Sequence, residues 1–169
     1  MNVYATILLL STIAIVQSTG MPHVAIMGVK PNFMLLVVIS WSLLRGIKEG
    51  SIWGFVGGLI LDIFSSAPFG VSTLAMLAVS LLAGLGEMGI FHTHIGLLLL
   101  IAFLATPVYH LVFLSLLQMV GWPVAWMDSL LKIILPSTLI NMALMPLVYG
   151  AMRWLCRRIV GERIKLAGD

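Results

Sequence analysis

The sequence predicts an all-α integral membrane protein, a compact bundle of six transmembrane helices, some of them short or kinked. Hydrophobic residues make up 61% of its 169 residues and charged residues only 9%, against about 25% in an average soluble domain. The mean hydropathy is +1.15. Because a soluble fold could not cover so much apolar surface with polar groups, we expect residues 1–169 to form a single polytopic membrane domain.

Proline, glycine and polar residues divide the chain into six apolar segments. They are Val3–Gly20, 31–46, 50–64, Val71–Leu85, 95–120 and 130–154. The first lacks the basic residue that opens a signal peptide, so we expect a retained transmembrane helix. Segments two to four are about 15–17 residues long, or roughly 22–26 Å, short of the ~30 Å hydrocarbon layer. We expect them to pack inside the bundle, with a re-entrant hairpin of segments two and three as the alternative.

The distribution of basic residues predicts that both termini are cytoplasmic. Five of the nine Lys and Arg residues lie in the last 17 residues, so we interpret 153–169 as a basic cytoplasmic tail. Arg45 and Lys48, in the turn between segments two and three, lie on the same side in a six-helix bundle. Only Lys30 and Lys132 then lie outside, which satisfies the positive-inside bias.

A stripe of small residues marks the third segment. Gly50, Gly54, Gly58 and Asp62 recur every four residues and share one helix face, with Gly57 beside them. Small residues allow a second helix backbone to approach closely in a membrane. We expect this face to dock either a neighbouring helix of the same chain or the transmembrane helix of a partner.

Asp62 stands at the end of that segment, where a carboxylate opposes the helix macrodipole. Two explanations remain open. The carboxylate accepts backbone N–H groups of Ser65 and Ser66 and fixes the loop before Pro68 and Gly70. Alternatively, it anchors a partner subunit or lines a cavity.

Other polar residues predict packing and turn roles. Pro31 and Asn32 begin segment two, and Arg45, Gly46 and Glu49 form its turn into segment three. His110 lies within an apolar segment, where hydrogen-bonded packing is the simpler interpretation and an intramembrane functional group the alternative. We expect Asn141 to bridge its segment to a neighbouring helix through hydrogen bonds.

No chemistry-bearing pattern is evident in the sequence. His92 and His94 lack a third metal ligand of suitable type. Cys156 has no partner for a disulfide. No phosphate-binding loop, serine nucleophile elbow, HExxH motif or paired acids occur, and no basic face suits nucleic acid. We therefore expect no catalytic, cofactor-binding or metal-binding residues, and no cofactor.

The order of several residues resembles the family of the rod shape-determining protein MreD. The motif runs from Pro31-Asn32 through Leu44-Arg45-Gly46 and Glu49-Gly50 to Gly54, Gly58, Asp62 and Pro68-Phe69-Gly70. This family usually carries an acid after the first proline, where this chain has Asn32, so a charged role for that position is in doubt.

The resemblance implies a non-enzymatic scaffold in the bacterial inner membrane that supports cell elongation and rod shape. It implies binding to the single-pass protein MreC and, through it, to the peptidoglycan glycosyltransferase and transpeptidase. A homo-oligomer within that complex and contact with membrane lipid are further expectations. The implied fold is similar to the substrate-binding subunits of energy-coupling-factor transporters, so a vitamin-like ligand is the alternative. A membrane enzyme acting on lipid-linked precursors would need clustered acids or a metal.

Overall fold

The computed structural model describes residues 3–20, 31–85 and 95–166, with side chains described over 6–17, 31–85 and 95–158. These parts of the chain are helical apart from short connections. The helices are α1 (Val3–Gly20), α2 (Phe33–Phe64), α3 (Val71–Leu85), α4 (Ile95–Met119), α5 (Trp126–Ser129), a π-helical turn (Leu130–Ile134) and α6 (Leu135–Leu166). The predicted connection 21–30 and the pair His92 and His94 lie outside the described residues.

Helix α2 contains both segment two and segment three, and it folds back on itself at Gly46. The backbone there has φ 79° and ψ −174°, a conformation that glycine adopts far more readily than other residues. The two arms then lie side by side: Trp41 stacks on Trp53 with ring centroids 4.2 Å apart. Because the partners are nearly equidistant from Gly46 in sequence, the arms are antiparallel. The tight turn predicted between the two segments is therefore present at Gly46, where it separates two helical arms.

The first arm of α2 forms the centre of the bundle. Every residue from Met34 to Leu43 is buried, which is the behaviour of a helix that is apolar on all sides. Its buried hydroxyls bond within the helix, from Ser40 to the carbonyl of Leu36 at 2.7 Å and from Ser42 to that of Val38 at 2.8 Å. Helices α1, α3 and α6 all pack on α2, and α4 packs between α3 and α6.

The last predicted segment begins differently from the expectation. Instead of one helix from residue 130, the short helix α5 leads into the π-helical turn, in which the Leu135 N–H bonds to the carbonyl of Leu130. Pro136 follows and has no N–H to continue the α-helical pattern. The wider turn therefore accommodates this proline, whereas Pro146 lies within α6. Helix α6 also continues through Leu166, so the backbone of the predicted tail is helical over its first part.

The outside of the bundle is strongly apolar. Large side chains are exposed on several helices, including Ile52 (60% exposed), Leu104 (56%) and Leu147 (70%). Two helical stretches of the described chain are long and apolar enough to cross a membrane. One is α4 (Ile95–Met119), and the other, Trp126–Arg158, runs from α5 through the π-helical turn into α6. Helices satisfy their own backbone hydrogen bonds, so a helical bundle with such an apolar exterior suits a hydrocarbon environment.

Candidate functional site

The carboxylate of Asp62 caps the start of helix α3. One oxygen accepts the N–H of Ser72 at 2.9 Å, and the other accepts the N–H groups of Gly70 at 2.9 Å and Thr73 at 3.2 Å. The Thr73 hydroxyl donates to the same oxygen at 2.6 Å. Asp62 is only 4% exposed, so these donors replace the water that a buried carboxylate loses.

The partners of Asp62 differ from the expectation that Ser65 and Ser66 would bind its side chain. The N–H of Ser65 instead reaches the main-chain carbonyl of Asp62 at 3.4 Å. The hydrogen-bond donors to the Asp62 carboxylate come instead from Gly70, at the end of the loop, and from Ser72 and Thr73 in the first turn of α3. Although Asp62 opposes the macrodipole of its own helix, it lies at the positive end of α3, where a negative charge is favourable.

The loop between these helices ends in a tight turn. The Val71 N–H bonds to the carbonyl of Pro68 at 3.3 Å, and Gly70 has φ +98°. A turn of this kind requires a positive φ at its third residue, which explains the glycine. The turn also directs the Gly70 N–H to Asp62, so loop and cap form one unit.

The glycine stripe faces this chain's own residues. A Cβ added at Gly58 would clash with the Cα of Thr73, and one at Gly54 would lie 2.7 Å from the Ser80 hydroxyl oxygen. Both contacts are with α3. Gly50 faces Ser42 of the other α2 arm. The stripe is therefore covered along its length, and no partner helix has access to it.

Gly57 lies outside that contact. A Cβ there would lie 3.2 Å from the sulfur of Met34 and 3.5 Å from a methyl of Val38. These atoms belong to side chains of the first arm of α2, and methionine adapts easily to a changed neighbour. Gly57 therefore serves the packing of the two arms, with a looser fit than Gly58.

A network of amides connects four helices at the same end of the bundle. The Asn32 side chain caps α2 by accepting the Leu35 N–H at 3.0 Å, and the Asn32 main-chain N–H bonds to Asn141 of α6 at 3.2 Å. Asn141 also donates to the Thr106 hydroxyl of α4 at 3.4 Å. The Gln17 amide of α1 bonds to Asn32 at 3.3 Å.

Asn32 therefore performs a role that needs no charge. Asparagine and aspartate are about equally good at a helix N-cap, and the Asn32 side-chain oxygen accepts N–H groups from both Leu35 and Gln17. Pro31 precedes this cap and is buried; it lies two residues before Phe33, the first helical position, at which proline is most usual.

The geometry can be compared with known proteins. A family model described as rod shape-determining protein MreD matches residues 1–159. This chain belongs to the MreD family. No curated protein and no solved structure matched it. The MreD family is a family of membrane proteins with a role in rod shape determination.

In this MreD family member, the His110 side chain forms its hydrogen bond within its own helix, α4. Its Nδ1 is 2.9 Å from the carbonyl of Thr106, so Nδ1 carries the proton and Nε2 is an acceptor when the ring is neutral. The ring meets that of Tyr109 edge-on at 5.3 Å. Within the described residues Nε2 has no hydrogen-bond partner.

The opposite end of the MreD hairpin carries an ion pair. Arg45 donates to the two carboxylate oxygens of Glu49 at 2.8 and 3.1 Å. Partial burial raises the pKa of Glu49, but the hydrogen bonds and charge of Arg45 outweigh that effect and leave the pKa below its ordinary value of 4.5. The buried Trp41 indole Nε1 lies near the Glu49 carboxylate and contributes to the lowering of its pKa. The ion pair of Arg45 and Glu49 stabilises the turn around Gly46.

Nothing in the described parts of the chain forms a group of three or more His, Cys, Asp or Glu side chains suited to a metal. Cys156 is a half-buried free thiol. Among the described acids Asp62 is strongly buried, and its oxygens are occupied by Gly70 and the start of α3. The arrangement organises helix positions.

Sequence reasoning did not single out Ser72 and Thr73, the partners of Asp62, or Gln17. Two hydroxyl residues just after Gly70, at the predicted start of a helix, were the available signal for a capped N-terminus. Gln17 is a lone amide in an apolar run, and its contact with Asn32 depends on how α1 packs.

Proposed function

We propose that this chain is a multi-pass scaffold of the cell-elongation complex in the bacterial inner membrane, with six crossings and both termini cytoplasmic. It binds MreC and, through MreC, supports the glycosyltransferase and transpeptidase that build peptidoglycan. The observation that carries the proposal is the MreD family match over residues 1–159. A scaffold without catalysis agrees with the geometry, because the buried polar groups of the site hold helices together.

The partner-binding surface follows from the covered glycine stripe. Since Gly54 and Gly58 lie against α3, MreC binds an outward face of the bundle. Such faces carry Ile52 (60% exposed), Leu74 (53%) and Leu139 (55%) on different helices. Each presents a large apolar side chain to lipid or to a partner helix.

Site-specific photo-crosslinking in living cells tests this proposal. A photo-reactive residue placed singly at Ile52, Leu74, Leu104 or Leu139 should capture MreC from one face of the bundle. Val38, which is fully buried, is the matched position from which no capture is expected. The proposal is wrong if every variant restores rod shape to cells lacking the protein and none captures MreC.

Cysteine labelling tests the six-crossing arrangement. In a Cys156→Ser background, Lys48→Cys lies in the exposed turn of the α2 hairpin and Ser66→Cys in the exposed loop before α3. An impermeant maleimide added to intact spheroplasts should label Ser66→Cys, while Lys48→Cys reacts only after permeabilisation. Labelling of both positions from one side would show instead that α2 is re-entrant.

A further inference from the structure

A cavity of about 270 Å³ opens at the Asp62 end of the bundle. Its volume is near the lower limit of the ~300–1,000 Å³ typical of small-molecule pockets. Residues of α1, α2, α3 and α4 line it together. They include Gln17, Asn32, Ser65, Ser72, Tyr109 and His110 among the polar residues, and Ala14, Leu61, Phe64 and Phe113 among the apolar ones.

The described lining is mixed, with amides, hydroxyls and a histidine beside apolar side chains, and among these described residues there is no lysine or arginine. Its amides and hydroxyls can both donate and accept, and the unpartnered Nε2 of His110 adds an acceptor. The nearest carboxylate, Asp62, is buried behind Ser72 and already receives four hydrogen bonds. A phosphate or carboxylate ligand would find no countercharge among these described residues, so its burial would be unfavourable.

Exposed apolar side chains accompany this lining. Phe64, which lines the cavity, is 51% exposed, and Ile63 beside it in the sequence is 68% exposed. Tyr109 and Phe113 lie within the lining with ring centroids 5.9 Å apart. Aromatic rings beside amides and hydroxyls suit the two kinds of surface on a sugar or polyol, which has C–H faces and hydroxyl edges.

We propose that this cavity binds an uncharged, hydroxyl-rich group such as a sugar ring. Exposed apolar side chains at the end of a lipid-facing bundle fit a group attached to acyl chains, so the natural source is the headgroup of a neutral glycolipid. A free sugar presents the same chemistry and is the other source. The inference is independent of MreC binding, and its test uses the purified chain alone.

Thermal unfolding in lipid nanodiscs tests the proposal. The probes are monoglucosyl diacylglycerol, diacylglycerol without a sugar, phosphatidylserine, and free glucose in the buffer. The expected result is a rise of several degrees in the midpoint with the glycolipid, and none with diacylglycerol or phosphatidylserine. A rise with glucose alone assigns the site to a soluble sugar. The proposal is overturned if neither sugar form shifts the midpoint, or if diacylglycerol shifts it equally.

Matched variants locate the effect. Ser65→Phe fills the mouth, whereas Ser66→Phe adds the same ring to a neighbouring exposed residue that does not line the cavity. The first variant should abolish the glycolipid-dependent shift and the second should retain it. His110→Phe keeps the size of the ring but removes an acceptor, so glycolipid affinity should fall about 3- to 10-fold, the effect of one hydrogen bond. Equal responses of the two serine variants would place binding elsewhere.

Discussion

The Thr73 hydroxyl lies 2.6 Å from the carboxylate of Asp62, although the two residues belong to different helices. Together with three backbone N–H groups, this contact joins the end of α2 to the start of α3. It also positions the α3 backbone directly over Gly58. The motif of glycines and one acid is therefore a single device for docking two helices of the same chain.

Replacing Asp62 by Ala should destabilise the protein by about 2 kcal/mol or more. The change removes an N-cap, typically worth about 1 kcal/mol, and leaves several buried N–H groups without acceptors. The measurement is the unfolding midpoint in detergent. Asp128→Ala is the matched control, because Asp128 pairs with Lys132 on the surface and both are well exposed; its cost should be under about 1 kcal/mol. Equal losses for both would contradict the capping role.

Alanine at the adjacent positions Gly57 and Gly58 should have opposite effects. Gly57→Ala meets the flexible Met34 side chain and gains up to about 1 kcal/mol of helix propensity, so it should be neutral or stabilising. Gly58→Ala meets the Thr73 backbone, and the overpacking should cost about 1–3 kcal/mol. The measurement is thermal unfolding of both variants, with Gly150→Ala, which has open space around it, as the control. A stable Gly58→Ala protein would show that α3 does not press on this glycine.

The amide of Asn141 should be coupled energetically to Thr106. Asn141→Ala removes the bonds to Asn32 and Thr106, and the expected cost is about 0.6–2 kcal/mol, the range for hydrogen bonds between membrane helices. In a double-mutant cycle, Thr106→Ala should cost less in the Asn141→Ala background than in the native protein. Strict additivity of the two free energies of unfolding would show that the 3.4 Å contact carries no energy.

The ion pair of Arg45 and Glu49 should contribute to stability only above acidic pH. Because the pKa of Glu49 is lowered in the folded protein, the contribution is present above the unfolded value near 4.5 and is lost as the pH falls through the folded value. The two side chains are about one-third exposed, so the effect should stay below about 1 kcal/mol. The free energies of unfolding of the Glu49→Gln variant and the native protein should differ at pH 7 and converge as the pH falls below the lowered pKa of Glu49. A difference that persists at low pH would rule out the ion pair as its cause.

The amino-acid sequence by itself determined the all-helical class, the apolar segments and the small-residue face of the third segment. These features depend on composition and local periodicity, which can be recognised in a short stretch of the sequence without knowledge of the fold. Val3–Gly20 and Val71–Leu85 were predicted with the bounds that the structure has. The turn at Gly46 was also visible, because a glycine between Arg45 and Lys48 interrupts two apolar runs.

Only the tertiary structure decided what each polar residue and glycine contacts. The Ser72 and Thr73 N–H groups reach Asp62 because the turn at Gly70 reverses the chain, and Asn141 reaches Asn32 across 109 residues. Such partners are chosen by helix packing, which brings together residues whose sequence separation carries no local signal. The same packing determined that Gly54 and Gly58 face α3. The periodicity of the sequence shows which residues share a helix face, but it does not show which helix packs on that face.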